Sequence, residues 1–276
     1  TISRFLRSPA FTASLRSIMQ RYQSEFNTSS TNSIELEVKI ENNESTRTTI
    51  QNLQTTKSIQ HKKSSIFQDI YFDINPLFSQ NEPYFLSRHN IWMRSRIWNA
   101  EDREPILQHD IKVGPDLGVA RDKNSEKAYI SKVFETSEVS AITAILLACL
   151  EACSSNSAQL PSKLSLLSLL ESHFEPMIEY TTERHSYLSK CGQYQIDLDS
   201  CGTYQVGEVE CLTKNASVND LLQFCDFHGF EYNPSKGRPG QTPLKSKIEI
   251  LSMENNPPFY QVMNERASLD KQMQQD

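Results

Sequence analysis

Strict alternation of apolar and charged residues constrains this chain more than any other feature of its sequence. In the segment IELEVKI (34–40), aliphatic residues occupy one phase, and Glu35, Glu37 and Lys39 occupy the other. Successive side chains of a β-strand point to opposite faces of a sheet, so the segment predicts a strand with one apolar and one charged face. The charged face is an ordinary surface if it points to solvent, and a binding site if it lines an enclosed space.

The same pattern recurs in five later segments that also predict strands. In each of them the charged residues fall on one phase: Arg94 and Arg96, with Trp92 on the same phase; Asp110 and Lys112; Arg184; Asp197 and Asp199; Glu208 and Glu210. For a single strand, a solvated face is the simpler interpretation. Three features together favour an enclosed charged face: arginines occur where lysines would serve on a surface, the acids are spaced to share one cation, and the opposite phase is apolar. The sequence therefore predicts an α+β chain, a closed eight-stranded antiparallel β-barrel or tunnel with helices packed outside.

The pattern of apolar residues, caps and prolines predicts where the strands and helices lie along the chain. The eight predicted strands cover residues 34–40, 67–74, 90–98, 105–114, 126–136, 175–189, 194–200 and 203–212. Helices are predicted at 137–153 and 162–174, and a polar helix or surface loop at 45–60. Ser217 and Asp220 form a capping-box pattern that begins another helix. Thr242 and Pro243 are typical of the start of a last helix, which Pro257 would end.

Composition excludes several classes of protein. A net charge of −6 gives no indication of a nucleic-acid partner, and the longest apolar run, residues 141–150, is too short for a membrane span. The six cysteines show no zinc-ligand spacing, and we interpret them as reduced packing residues. The arginine- and serine-rich start resembles a mitochondrial presequence or a disordered tail, which leaves both mitochondrion and cytoplasm open. We expect a monomer with no nucleic-acid or membrane partner.

A charged interior needs a ligand, because burying an unpaired ion costs several kcal/mol. The acids are Glu35, Glu37, Asp197, Asp199, Glu208 and Glu210, and the bases are Lys39, Arg94, Arg96, Lys112, Arg184 and Lys247. Carboxylates suit a hard divalent cation such as Mg²⁺, or Mn²⁺, whereas arginine forks suit phosphate oxygens. A metal-bound polyphosphate would satisfy both sets.

These motifs resemble, in type and in order, those of the CYTH superfamily, the triphosphate tunnel metalloenzymes. ELEVK (35–39) matches the E-x-E-x-K signature, which is weak alone, and is followed by WMRSR, DIK, TERHSY, IDLD, YQVGEVE and KSKIEIL. The resemblance spans about residues 34–265 and is greatest to the thiamine triphosphatases, because a tryptophan precedes the arginine pair and VGEVE precedes a helix. It implies a tunnel domain over residues 34–276, after a flexible extension or presequence at 1–33.

The resemblance also implies the roles of the site residues. The catalytic residues would be Lys39, Arg94, Arg96, Lys112 and Arg184; Trp92, Glu208 and Lys247 would also bind substrate; and Glu35, Glu37, Asp197, Glu208 and Glu210 would bind the metal. Asp199 would be an outer partner of this cluster. The implied reaction is Mg²⁺-dependent hydrolysis of thiamine triphosphate to thiamine diphosphate and phosphate.

Other activities of the same fold stay open at this point. They are the hydrolysis of inorganic tripolyphosphate, RNA 5′-triphosphatase activity and adenylate cyclase activity. The RNA activity is less favoured because we find no basic surface interleaved with aromatic residues outside the predicted tunnel. A non-catalytic polyphosphate-binding module is a further alternative, although six acids in the interior argue against it. The general base is also open: a lysine, a carboxylate or metal-bound hydroxide would serve.

Overall fold

Eight antiparallel strands curl into one sheet in the computed structural model, which describes residues 32–79, 83–100, 103–114, 130–153, 164–212, 217–232 and 247–272. The strands are β1 (Asn32–Glu41), β2 (Ile59–Ile74), β3 (Ile91–Ala100), β4 (Arg103–Val113), β5 (Ile130–Thr136), β6 (Phe174–Ser189), β7 (Tyr194–Cys201) and β8 (Tyr204–Cys211). Their order is β1-β5-β4-β3-β2-β6-β7-β8, and β8 pairs with β1. The predicted α+β class and the eight antiparallel strands are confirmed.

The wall of this curled sheet is weakest between β4 and β5. Only three residue pairs, from Ile111–Thr136 to Val113–Phe134, join these strands among the described residues. Because β5 has seven residues and β4 has eleven, the first part of β4 extends past the end of β5. Within the described residues, this part of β4 has a strand neighbour only in β3. The predicted closed barrel is therefore wrong in one respect. The strand order returns to β1, but most of β4 does not pair with β5 among the described residues, so the sheet is a curled half-barrel that is not closed.

Strand β2 begins earlier than its sequence pattern predicts. It starts at Ile59 instead of residue 67, and its first residues pair with β6 alone, since pairing with β3 begins at Ile66. A two-stranded ribbon buries neither face deeply, and Gln60–Ser64 are all exposed. Without a buried face there is no selection for alternation, which explains why the pattern missed this part of the strand.

The helices are α1 (Glu44–Thr55), α2 (Phe85–Arg88), α3 (Val139–Cys153), α4 (Leu166–His173), α5 (Val218–His228), α6 (Lys247–Asn255) and α7 (Pro257–Gln272). The predicted capping box is confirmed, because the Ser217 side chain accepts a bond from the Asp220 N–H and the Asp220 side chain accepts one from the Ser217 N–H. The helix predicted to stop at Pro257 ends at Asn255, but the prolines also begin α7, since a helix tolerates proline in its first turn. The predicted start at Thr242 and most of the 1–33 extension lie outside the described residues.

The apolar phase of the strands packs against the helices. Val38 and Val209 lie in one core cluster with Ile50 of α1 and Leu221 of α5. A second cluster joins the outer faces of β3 and β4 to α3 and α4. Each fully buried aliphatic side chain contributes about 1.5–3 kcal/mol, so this packing fixes which face of each strand points inward. The prediction that helices cover the outside is confirmed.

The C-terminal helices cover one end of the interior. Leu251 of α6 and Phe259 of α7 form a third cluster with Tyr71 and Tyr180, against which Trp92 packs. Tyr71 lies opposite Arg94 in the β2–β3 ladder and therefore belongs to the inward phase. All six cysteines are free thiols, five of them buried, in line with the predicted packing role. Among the described residues, no helix combines the length and hydrophobicity that a membrane span needs.

Candidate functional site

All six bases singled out in the sequence meet carboxylates inside the curled sheet. They come from β1, β3, β4, β6 and helix α6, and their side-chain exposure runs from 9% for Arg96 to 27% for Lys112. Each one has a carboxylate oxygen within 4.0 Å: Lys39, Arg94, Arg96, Lys112, Arg184 and Lys247. The charged phase is therefore enclosed, which is the premise on which the predicted binding site depends.

Arg184 on β6 is the centre of a first ion-pair network. Its Nε and one terminal nitrogen each donate to Asp199 at 2.6 Å, and its other terminal nitrogen donates to Asp197 at 2.8 Å. Lys247 of α6 also donates to Asp199. The two acids lie two residues apart on β7, so both face Arg184 across the β6–β7 ladder. Asp199 therefore contacts bases from two separate elements.

The same network continues to β1 and β8 through Glu208. Lys39 Nζ lies 2.6 Å from Glu208 and 3.4 Å from Glu37, and Arg184 lies 3.6 Å from Glu208. Burial opposes the charge of both groups, but attraction outweighs it. Lys39, Lys247 and Arg184 hold the pKa of Glu208 well below its usual range, and Glu208 and Glu37 raise the pKa of Lys39. The site thus favours the ionised form of both groups although they are largely shielded from water.

A second network occupies the β2–β3 side of the interior. Arg96 donates to the two oxygens of Asp69 at 2.6 and 2.7 Å, a bidentate geometry that fixes the guanidinium plane. The same guanidinium lies 3.8 Å from the centre of the Phe67 ring, whereas that of Arg184 lies 5.4 Å from it. Phe67 is fully buried, and arginines of both networks lie over its ring.

Arg94 extends the second network to β4 and β5. It donates to Asp110 at 2.8 Å and lies 3.4 Å from Glu135, which in turn lies 3.5 Å from Lys112. The Nε atom of Arg94 is buried and has no hydrogen-bond partner among the described residues. A buried donor without an acceptor is unfavourable, so this arginine can still take an additional acceptor.

Three acids of these networks were not predicted as site residues. Asp69 shares its strand phase with Phe67 and Tyr71, so β2 lacks the clean apolar–charged alternation that marked the other strands. Asp110 was recognised as sharing a face with Lys112 but was given no role, and Glu135 lies on a short strand with few charges. Their partners are on other strands, and only strand pairing brings them together.

The predicted metal ligands lie on three adjacent strands of the sheet, β7, β8 and β1. Glu37 is directly opposite Glu210 in the β1–β8 ladder, and Asp197 is directly opposite Glu208 in the β7–β8 ladder. Glu35 lies on β1, and its side chain is outside the described residues. In the described part of the chain, no group of three or more potential ligands is arranged to hold a metal ion. Asp197 and Glu208 contact bases instead.

Trp92 packs beneath a helix. Its indole nitrogen donates to Asn90 at 2.9 Å, and its ring meets Phe259 of α7 edge to face, with the ring centres 6.2 Å apart. It lies directly opposite Lys112 in the β3–β4 ladder. Trp92 is therefore adjacent to the charged interior and is held in place by the C-terminal helices.

Comparisons with known proteins give a similarity of structure only. No family model matches the sequence, and no curated protein matches it either. The PH1819 protein of Pyrococcus horikoshii is similar at 16% identity and a TM-score of 0.48, over 80% of this chain and 99% of that chain. A Vibrio parahaemolyticus protein described as a "putative adenylate cyclase" has 13% identity and a TM-score of 0.47, over 80% and 98%.

A third similar structure is that of the S. pombe Pct1 RNA triphosphatase. Its identity is 10% and its TM-score 0.31, over 78% of this chain and 83% of that chain. Because the three TM-scores are below 0.5 and the identities are 16% or less, these similarities assign neither a family nor an activity to this chain.

Proposed function

We propose that the interior of the curled sheet binds a linear triphosphate together with a divalent cation and hydrolyses its terminal phosphoanhydride bond. Thiamine triphosphate is the substrate we propose first. One observation carries this proposal: three arginines and three lysines from five elements converge on one interior, where carboxylates of the chain itself are their partners. Such a set of fixed cations suits a ligand with many anionic oxygens in a row.

Phosphate oxygens would replace carboxylate oxygens around the arginines and lysines. Arg184 and Lys247 share Asp199, and the buried Nε–H of Arg94 has no acceptor in the described part of the chain. Arginine binds phosphate through the same planar fork that it uses for a carboxylate, so the exchange needs no new geometry. The bases of the two networks, which meet over the ring of Phe67, would contact successive phosphates of one chain.

The carboxylates of β1, β7 and β8 would hold the cation. Two acid pairs, Glu37–Glu210 and Asp197–Glu208, are directly opposite in their ladders, so both carboxylates of a pair are close enough to bind one cation. Lys39 and Arg184 are the cations beside these acids in this structure, and a bound metal ion would take over that role when the two bases turn to the phosphates. The donors are oxygens, which suit Mg²⁺ or Mn²⁺. When bound, such a cation supplies charge neutralisation on the phosphates and lowers the pKa of a coordinated water.

The residues of the chain would supply most of the rate enhancement by electrostatics. Arg94, Arg96 and Arg184 would stabilise the charge that develops on the terminal phosphoryl group, and the lysines would fix its orientation. Because these side chains are at most 27% exposed, their charges act with little screening by water. Trp92 would contact the organic part of the substrate, since it is adjacent to Lys112 at the helix-covered end.

Phosphate release from a panel of substrates tests this proposal. We expect the purified full chain to hydrolyse thiamine triphosphate with Mg²⁺ and to lose this activity in EDTA, with lower activity on tripolyphosphate and ATP. Arg94→Gln should abolish turnover, whereas Arg47→Gln, which changes an exposed arginine of α1, should not. If tripolyphosphate is hydrolysed as fast as thiamine triphosphate, the proposed substrate becomes inorganic tripolyphosphate. Tight binding with no turnover of any substrate would favour a polyphosphate-binding module.

A further inference from the structure

We infer that the outer face of the β2–β6 ribbon contains a site for a divalent transition-metal ion such as Zn²⁺, with His61 and His185 as its ligands. This site is separate from the charged interior and does not depend on the proposed function. Two ring nitrogens, His61 Nε2 and His185 Nδ1, lie 3.1 and 2.8 Å from one atom, the Ser64 hydroxyl oxygen. The two imidazoles therefore converge on a single point in space.

A β-bulge is what brings these side chains to one face. The β2–β6 register shifts between His61 and Lys63, so that His61 lies opposite Tyr187 and Ser64 lies opposite His185. Residues three apart on a regular strand point to opposite faces, but the extra residue of the bulge places His61 and Ser64 on the same one. Bulges are common where the direction of a side chain has to change, and this bulge turns His61 to the face that carries His185.

The Glu183 carboxylate lies beside His185 on the same face of the ribbon. Its oxygen is 3.2 Å from His185 Nε2, whereas Nδ1 of the same ring lies 2.8 Å from the Ser64 hydroxyl oxygen. A carboxylate next to the second ring nitrogen is a common outer partner of a metal-binding histidine and helps to orient its ring. The edge of the His61 ring contacts Tyr187, with the ring centres 5.4 Å apart, which orients the other imidazole.

The chemistry of this set favours Zn²⁺ or Ni²⁺ over Mg²⁺. Imidazole nitrogens are ligands for borderline transition metals, whereas Mg²⁺ requires oxygens. The Ser64 hydroxyl lies where the ion would sit, and the exposed side chains His61 and Ser64 can rotate to let both nitrogens approach to the usual Zn–N length of about 2.0–2.1 Å. Two protein ligands leave the remaining positions to solvent, so the site is open rather than structural.

An alternative chemistry for the same residues is less well supported. Glu183, His185 and Ser64 lie next to one another in the order acid, imidazole, hydroxyl, which is also the order around a serine nucleophile. Ser64 lies within the paired part of strand β2 and is exposed, with no turn or helix N-terminus to provide an oxyanion hole among the described residues around it. A serine nucleophile needs only one imidazole beside its hydroxyl. A metal site uses both imidazoles, so it accounts for their convergence.

Calorimetric titration with Zn²⁺ tests the site in the full chain. The titration uses excess Mg²⁺ to occupy oxygen ligands and a Cys191→Ser background to remove the exposed thiol. We expect one Zn²⁺ to bind, and this binding to disappear in His61→Gln and in His185→Gln. His228→Gln, which changes a partly exposed histidine at the end of α5, should bind Zn²⁺ as before. Glu183→Gln should weaken binding by about tenfold, because it removes the outer partner.

Histidine NMR signals provide a second readout that misfolding does not imitate. Zn²⁺ should shift the ring resonances of His61 and His185 and leave those of His228 unchanged. Equal Zn²⁺ binding by all the histidine variants, or a shift of all histidine signals together, would overturn the proposal. Hydrolysis of the proposed triphosphate substrate should be unaffected in His61→Gln, so failure of one proposal is distinguishable from failure of the other.

Discussion

The guanidinium of Arg184 and the carboxylate of Asp199 are joined by two hydrogen bonds of 2.6 Å each. Lys247 reaches the same carboxylate from helix α6. Asp199 is 1% exposed, so a buried carboxylate is held by two cations from separate elements. In the proposed function this carboxylate occupies the place of a phosphate group and competes with it.

Asp199→Asn should therefore increase the affinity for tripolyphosphate. The neutral amide would release Arg184 and Lys247 from a charged partner, and charge-assisted hydrogen bonds of about 1.5–3 kcal/mol become available to the ligand. We expect the dissociation constant to fall about tenfold or more, measured by calorimetry. Asp226→Asn, an exposed aspartate on α5, is the control. Unchanged or weaker binding by Asp199→Asn would show that Asp199 does not compete with the ligand.

Arg96→Lys should destabilise the fold by about 2 kcal/mol, because lysine cannot reproduce a bidentate contact or a stacked plane. Arg96 binds both oxygens of Asp69 and lies on the Phe67 ring. Urea unfolding gives the free energy, and Arg47→Lys on the exposed face of α1 should change it little. A loss no larger than that of the control would mean that the Asp69 contact contributes only charge.

Acid should weaken the fold through Asp69 and Asp110. Burial acts to raise the pKa of both carboxyls, but the Arg96 hydrogen bond lowers that of Asp69, and the charge of Arg94 lowers that of Asp110, so both lie below the usual value of 3.8. Such a group stabilises the fold above its unfolded pKa and loses this contribution as the pH falls through its folded pKa. We expect the free energy of unfolding to decline below about pH 5.

Urea unfolding at a series of pH values measures this decline. Asp69→Asn should make the stability less dependent on pH in the acid range, because one of the carboxyls with a lowered pKa is absent. Asp226→Asn should leave the slope unchanged. A steeper slope in Asp69→Asn would contradict the assigned direction of the pKa shift.

Gly207→Ala should destabilise the sheet by about 1–3 kcal/mol, the usual range for overpacking. A Cβ atom on Gly207 would lie 2.5 Å from Cγ1 of Ile40 and 3.1 Å from a methyl group of Leu198. Ile40 is fully buried, and the close packing of a protein interior resists its displacement. The double variant Gly207→Ala/Ile40→Ala should lose less stability than the two single losses added together. Strict additivity in thermal or urea unfolding would show that the two side chains do not compete for space.

Trp92→Ala should raise KM for thiamine triphosphate more than for tripolyphosphate, because tripolyphosphate lacks the organic part that Trp92 is proposed to contact, which in thiamine includes a cationic thiazolium ring. A cation–aromatic contact contributes about 0.5–2 kcal/mol. Since Trp92 also packs on Phe259, Phe259→Leu serves as the control for loss of packing at the same place. An equal effect of Trp92→Ala on the two substrates would assign Trp92 to helix packing alone.

Local patterns predicted most of the secondary structure and the identity of the interior bases. Alternation in 34–40 and in the later strands determines which side chains share a face, because the period of a strand is fixed by its backbone. The Ser217–Asp220 capping box is equally local and was predicted from four residues. The bases Arg94, Arg96 and Arg184 could be recognised without any knowledge of the strand order.

Only the tertiary structure decided which acid meets which base. Asp69 contacts Arg96, and Glu135 lies between Arg94 and Lys112, because β2, β3, β4 and β5 are adjacent in the sheet. The parted wall beside β4, the ribbon of β2 and β6, and the bulge that joins His61 to Ser64 also depend on pairing between distant segments. A sequence specifies the face of each side chain through local geometry, whereas register and strand order arise from contacts between residues far apart in the chain.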